Sequence, residues 1–411
     1  MISIDEARFY VLRDLSPLEP QVLELSLALG CVAASMVTAN EPSPRFANSS
    51  MDGFALRAVD TLAGGTRLRI VGSIFAGDAS DVQLGAGEAM RIMTGAPIPP
   101  GADSVCMREE ASVEGDDATV LIQREIARGE FVRLVGDDVA QGQVLLAPGD
   151  EIGAALVGSL ASQGVRTVLA HPRPRVGVLS TGNELTDDAG ALASGKIRDA
   201  NRPSLLASLS QSGFESVDLG VVGDTKEEIA RGFERGIEAC DAVVSTGGVS
   251  VGDADFVKVV IGELCGDSAR SMQVAMKPGK PFAFGMVPSS GTPLFGLAGN
   301  PVSTLVGFEV FVRPALRRLG GHRVLDRLTV NAVLDEAMPR KPDGRVHLVH
   351  VSSRVHDDGH LHVERSARHA SHLLNAVAES NSIVVLPNGE GAARGDEVRL
   401  IVLDPDQLSR D

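Results

Sequence analysis

RVGVLSTGNEL (175–185) and DAVVSTGGVSVGDAD (241–255) each run from an unbroken apolar stretch into a glycine-bearing turn and then into acids. Continuous apolar runs of this length are buried strands, and in parallel sheets such strands end in ligand-binding loops. The segments around them alternate in kind. The stretch from Pro203 to Ser212 predicts a helix with Leu205, Leu206 and Leu209 inward and Gly213 ending it; ESVDLGVV (215–222) reads as a strand and TKEEIARGFERGIEAC (225–240) as a helix. FVKVVIGELC (256–265) and STLVGFEVFVRPALRRLGG (303–321) supply two more helices. Residues 172–321 therefore read as a doubly wound, three-layer α/β domain that opens after the linker HPRPR (171–175).

Four loops of that domain can carry chemistry. STGNEL (180–185) turns at Thr181, Gly182 and Asn183, and reads either as an anion-facing turn or as an ordinary polar one. In Thr246-Gly247-Gly248 no side chain shields the backbone from a phosphate or a ring, and Ser250, Asp253 and Asp255 follow in the same loop. The two aspartates fit either Mg²⁺ ligation or a cap on the helix that starts at Phe256. KPGKP (277–281) sets Lys277 and Lys280 in a proline-stiffened bend between apolar flanks, which suits a tetrahedral oxyanion. GNPVS (299–303) opens a helix, placing Asn300, Pro301 and Ser303 at the positive end of its dipole. A phosphorylated ligand and a divalent cation are the expected occupants.

Outward from this domain the signals change. Ser3 and Glu6 have capping-box spacing ahead of Ile4, Ala7, Val11 and Leu12, so the chain starts helical, and Pro42 and Pro44 stop that pattern. Short β-like runs fill 46–138 (TRLRIVGSIFAG, GEAMRIM, DSVCMREEASV, ATVLIQ), and 139–170 returns to a turn followed by a helix. Four regions are expected: a discontinuous N-terminal domain (1–45 with 139–171), a β domain (46–138), the α/β domain (172–321) and a small C-terminal β-barrel or sandwich (322–411) built from RLTVNAVL, RVHLVHVS, HLHVERS, NSIVVLP and EVRLIVL.

Bulk composition excludes several classes. A formal net charge of −16, with no Lys/Arg run, no Trp and one Tyr, leaves no surface for nucleic acid. No apolar run approaches a membrane span of roughly 18 residues, and MISIDEARFY has neither a basic leader nor an apolar signal core, so a cytoplasmic protein is expected. Cys31, Cys106, Cys240 and Cys265 lack CxxC or Cys–His ligand spacing and read as buried free thiols, without a zinc site or disulfide framework.

Eight segments, NSSMDGFA (48–55), RIMTGAPIPPGAD (91–103), STGNEL, IRDANRPSLL (197–206), GVVGDT (220–225), STGGVSVGDAD, MKPGKPFAFG and GLAGNPVS, resemble in order the motifs of the molybdopterin molybdenumtransferase family, which includes the E domain of gephyrin. The likeness spans about residues 4 to 404. It implies the last step of molybdenum cofactor synthesis, in which adenylylated molybdopterin and molybdate give the metal-loaded cofactor with release of AMP, using Mg²⁺. It also implies an elongated homodimer in which the β domain of one subunit faces the α/β domain of the other, with the upstream molybdopterin adenylyltransferase as a further candidate partner. By resemblance the functional positions are Asp52, Thr94, Asp138, Glu184, Asp224 and Asp255; those for molybdate are Lys277, Lys280, Ser303, Arg345 and Ser371. Mg²⁺ falls to Asp224, Asp253 and Asp255, and the pterin ligand to Thr181, Gly182, Asn201, Thr246, Gly247, Gly248, Ser250, Asn300 and Pro301.

Two positions depart from the family's pattern. Phe54 stands where Tyr is common, and Gln273 where some relatives carry a basic residue. The rival readings are a non-catalytic dimeric scaffold of the same fold, a tungstate-handling paralogue, and the adenylylating enzyme of the preceding step, which lacks the β domain and the MDG and TGA motifs. Asp52, Glu184, Asp255, Lys277 and Lys280 together favour catalysis, since a scaffold has no physical need of converging like charges.

Overall fold

The computed structural model describes residues 1–78, 81–115, 117–249, 256–364 and 374–408. The chain divides into two compact units: Met1–Ala34, Gly149–Gly153 and Thr167–Asp411 form one, Ser35–Pro148 and Ala154–Arg166 the other.

The first unit is centred on a six-stranded sheet. Its order is Glu215–Val222, Arg175–Thr181, Ala242–Thr246, Pro293–Leu297, Pro281–Met286, Arg270–Gln273; the first four strands are parallel, and Pro281–Met286 pairs antiparallel with both of its neighbours. Alternation along the strands decides what packs on each face. Ala242 and Val244 join Val176, Val178, Phe295 and Leu297 against the helices Asn201–Gln211 and Pro301–Gly307. Val243, Leu294 and Ala283 point the other way, against Ile229 and Phe233 of Lys226–Ala239 and Val257, Val260 and Ile261 of Phe256–Cys265. Both faces are therefore covered, as the continuous apolar strands require. The long helix expected over 303–321 widens into a π turn at Phe308–Val312 just before Pro314, whose ring has no N–H to continue the ladder.

Ser3 and Glu6 close the capping box on the helix Ile4–Leu12, which buries Ala7 and Val11 in the same core as the α/β sheet. At the other end of the chain, Val346–Val355, Leu361–Glu364, Thr329–Leu334, Glu397–Val402 and Ser382–Leu386 close into a five-stranded barrel, because Ser382–Leu386 pairs back onto Val346–Val355. Its interior holds Ala332, Leu334, Val351, Val363, Val384 and Leu400. The strand Met276–Lys277, which leads into the KPGKP turn, leaves the α/β domain and adds to the barrel in parallel with Val346–Val355.

In the second unit a six-stranded sheet runs Ser104–Met107, Gly53–Leu56, Glu88–Ile92, Thr66–Ile74, Thr119–Ile122, Ala111–Glu114. Gly53 lies in a central strand where a Cβ would overlap the Cys106 carbonyl oxygen, so only glycine lets the two strands approach. All four cysteines are buried free thiols. Burial pushes the Cys106 thiol up to about 11 and the Cys265 thiol up to about 12, which keeps both protonated and inert. No helix among the described residues is long and apolar enough to cross a membrane.

Candidate active site

Arg175–Thr181 and Ala242–Thr246 are neighbours in the sheet, and the helices that follow them, Asn201–Gln211 and Phe256–Cys265, pack on opposite faces; the crevice outside such strand ends is where open α/β sheets bind ligands. Both glycine turns end there. Gly247 has φ +98°, and a Cβ on it would sit 2.5 Å from the Thr181 carbonyl oxygen and 2.7 Å from Thr181 Oγ1. The STGN and STGG turns thus touch through bare backbone, which requires glycine. Asn201, at the start of its helix, ties in the next two elements: Nδ2 donates to Thr246 Oγ1 at 2.8 Å and to the Gly299 carbonyl at 2.8 Å. Its Oδ1 is buried without a hydrogen-bond partner among the described residues. An acceptor left open at this junction suits a ligand that donates a hydrogen bond.

Asn300 caps the helix that follows, its Oδ1 accepting from the Ser303 N–H at 3.4 Å, with Pro301 in the first turn. Ser303 is buried, and the helix N-terminus expected to offer free donors has one of them taken by its own cap. The KPGKP turn leans on this helix start, since a Cβ on Gly279 would lie 3.4 Å from the Ser303 carbonyl oxygen.

Beside it the barrel contributes charge. Lys277 stands opposite His347 in the parallel pairing, and Arg345 precedes that strand. Arg345 Nη2 reaches Asp343 Oδ2 at 2.6 Å, His347 Nε2 meets the same oxygen at 3.1 Å, and Arg340 Nη2 donates to Asp343 Oδ1 at 2.8 Å. The His347 hydrogen bond, followed by Arg345, holds the Asp343 carboxyl well below the usual range. Burial first, then repulsion from Arg340 and Lys277, pushes the His347 imidazole below its ordinary range against the pull of the Asp343 carboxylate. One acid among Lys277, Arg340 and Arg345 leaves the cluster net positive, in a chain whose formal charge is −16.

On the acidic side, Asn183 and Asp224 exchange hydrogen bonds: each backbone N–H donates to the other's side-chain oxygen at 3.2 Å. The Glu184 carboxylate folds over Gly182, whose Cβ position lies 2.8 Å from it, and the Ile197 N–H donates to the Glu184 carbonyl at 2.8 Å. IRDANRPSLL is anchored from below by Arg202, which reaches Asp199 at 3.1 Å, Asp187 at 2.5 Å, and Asp218. Ser250, Asp253, Asp255 and Ser371 lie outside the described residues.

In the second unit the strands Gly53–Leu56 and Glu88–Ile92 are antiparallel with Gly53 opposite Ile92, which brings the MDG and TGA motifs to one sheet end. Asp52 Oδ1 accepts from the Thr94 N–H at 2.8 Å and the Thr94 hydroxyl at 2.7 Å, and these two bonds, backbone first, hold its carboxyl low. Asp138 is placed differently: its N–H donates to the Ser43 carbonyl at 2.9 Å and its carboxylate accepts from Ser43 Oγ at 3.5 Å. Phe54 packs in the core of this unit with the Arg91 guanidinium 6.0 Å from its ring centroid, so the missing hydroxyl costs no packing.

Residues 2–164 match the MoeA N-terminal region (domain I and II), 177–318 a probable molybdopterin binding domain, and 331–403 the MoeA C-terminal region (domain IV). A Haemophilus influenzae protein named molybdopterin molybdenumtransferase is 33% identical over 406 residues, covering 98% of each chain. The chain belongs to the molybdopterin molybdenumtransferase family. A Bacillus subtilis member of the same name is 31% identical over 409 residues, 98% of this chain and 94% of its own. The crystal structure of a molybdopterin biosynthesis MoeA protein from Pyrococcus horikoshii OT3 superposes with a TM-score of 0.79 at 26% identity, covering 98% of this chain and all 100% of that one. Sequence reasoning named Asn183 only as a turn residue, without its pairing to Asp224 41 residues away, and did not single out Asp343 or His347, whose contacts with Arg340, Arg345 and each other are local. For Asn183 the signal was available, because an amide in a strand-end turn is a ready partner for a neighbouring strand-end aspartate.

The Asp52–Thr94 pair yields a direct test. Replacing Thr94 by Val removes the hydroxyl donor and keeps the backbone one, so the Asp52 pKa should rise part of the way toward its ordinary value while staying below it. An NMR titration of the Asp52 carboxyl in both proteins reads the shift; an unmoved midpoint would mean the hydroxyl does not hold the carboxylate.

Proposed function

We propose that this family member is a molybdopterin molybdenumtransferase, taking adenylylated molybdopterin and molybdate and releasing AMP in a Mg²⁺-dependent reaction. The observation that carries the reading is the bridging of two glycine-rich loops by the Asn201 amide, with the STGN turn packed on Gly247 and a cationic hairpin and barrel edge alongside. Bare backbone accepts the phosphates and pterin, and the open Asn201 Oδ1 accepts a ligand donor. Lys277, Lys280 and Arg345, near Ser303, draw in a small oxyanion.

Asp224, half-exposed and with carboxylate oxygen as its donor, fits a hard cation that keeps several waters; Asp253 and Asp255 would complete its protein ligands. Mg²⁺ there supplies neutralisation of phosphate charge as AMP departs. The chain's own part is positional: it holds the adenylylated substrate's phosphates beside the acceptor oxyanion and keeps both oriented. Lys277→Ala and Lys280→Ala should each raise the molybdate concentration for half-maximal AMP release by about tenfold or more, the usual weight of a charge-assisted contact, with thermal unfolding unchanged. Wild-type half-saturation in both variants would remove the lysines from the oxyanion site.

The proposal extends to a homodimer. MDG and TGA lie in one compact unit and the α/β loops in the other, and we infer that Asp52 and Thr94 of one subunit serve the Glu184 and Lys277 region of its partner. Supporting this, Val22 and Leu169 are paired across adjacent strands and are both exposed, 71% and 36%, with Leu27 at 66%. Exposed apolar side chains, two of them side by side on one sheet face, suit burial against a second copy. Mixing inactive Asp52→Ala and Lys277→Ala subunits should regenerate one intact site per heterodimer and restore part of the activity. Failure to complement after verified subunit exchange would mean that each chain builds its site alone.

A further inference from the structure

The C-terminal barrel carries a second constellation that the transferase reading does not use. Asp335 ends the strand Thr329–Leu334, His362 lies within Leu361–Glu364, and His356 follows Val346–Val355. These strands are neighbours: Leu361–Glu364 pairs with the other two, and the Asp335 N–H donates to the Val363 carbonyl at 3.0 Å. The turn between the histidines is closed by the His356 N–H on the His360 carbonyl at 3.0 Å, with Gly359 at φ +82°. Backbone pairing therefore brings the three side chains to one edge before any ligand arrives.

Their polar atoms face each other. Asp335 Oδ1 meets His362 Nδ1 at 2.7 Å, and Asp335 Oδ2 lies 3.8 Å from His356 Nε2. The two imidazoles stack with centroids 4.0 Å apart and planes 5° from parallel, an arrangement two imidazolium ions would oppose. On its far side, His362 Nε2 contacts Asp358 Oδ2 at 3.1 Å. A carboxylate on the second nitrogen of a ligating histidine is the usual device for fixing its orientation. Among the described residues this is the only group of three or more His, Cys, Asp or Glu side chains whose ligand atoms all lie within 4.8 Å of one another.

We propose that Asp335, His356 and His362 form a zinc-class divalent-cation site, with Asp358 orienting His362 and a water completing the shell. Two imidazole nitrogens and a carboxylate are the donor set that zinc takes in sites with an open fourth position, at bond lengths of about 2.0–2.1 Å. Tetrahedral closure needs ligand atoms about 3.3 Å apart by that geometry, and the His356 side chain, 37% exposed, is free to swing inward. The cation would clamp the 356–360 turn to the end of Thr329–Leu334. Cysteine spacing gave no hint of such a site because it uses no thiol.

The test uses full-length, tag-free protein stripped with a chelator and kept in excess Mg²⁺, which occupies oxygen-only sites. Titrated with Zn²⁺ against a chromophoric chelator, it should bind one equivalent per chain, and Co²⁺ in its place should give the visible absorption of a four-coordinate site. His356→Ala and His362→Ala should weaken binding at least a hundredfold, and Asp358→Asn about tenfold. The metal-free melting temperature of His356→Ala, a partly exposed position, should match the wild type, so its binding loss is not unfolding. No stoichiometric Zn²⁺ in the wild type, or undiminished affinity in His356→Ala, would overturn the proposal.

Discussion

The side-chain amide of Asn201 is the contact on which the candidate site depends. One NH₂ group reaches the Thr246 hydroxyl and the Gly299 carbonyl, each at 2.8 Å, and so fixes the ends of two strands relative to the start of a helix. The glycines make that closeness possible. Gly247 lies directly on Thr181, and Gly299 comes close to Gly247, its Cβ position 3.4 Å from the Gly247 Cα. A Cβ at Gly247 would separate the STGN and STGG turns and loosen the floor on which phosphates would rest. The loops are held by backbone contact and one bridging amide, while their side chains stay available for ligands.

A second constraint is the barrel edge that stands beside the proposed oxyanion site. Met276–Lys277 belongs by sequence to the α/β region but pairs with the barrel strand Val346–Val355, and the Val346 N–H donates to the Ala275 carbonyl at 2.9 Å. That pairing sets Lys277 beside His347 and the Asp343 salt bridges. Asp343 has the opposite sign to the expected ligand, yet it serves the site by holding Arg345 and Arg340 in place, and the cluster keeps its excess of positive charge.

Much of this was legible in the residues. Continuous apolar strands, helical periodicity and glycine turns identify the α/β domain, and the helix and strand segments read along 201–321 recur in the structure. The capping box at Ser3 is local chemistry and forms as spaced. What could not be read is pairing between distant segments: which strand would capture Lys277, or that Asn183 would bind Asp224. Those depend on register, which no local pattern encodes. The same limit hid Asp335, His356 and His362, where HDDGH reads as a turn until the barrel closes and brings the aspartate alongside.

The central claim is that AMP release is coupled to an oxyanion held beside the phosphate loops. Its most direct measurement is single-turnover AMP release from adenylylated molybdopterin by the purified protein in Mg²⁺, with and without molybdate. The account predicts AMP in proportion to enzyme sites when molybdate is present and little without it. Equal release in both conditions, or none in either, would contradict it.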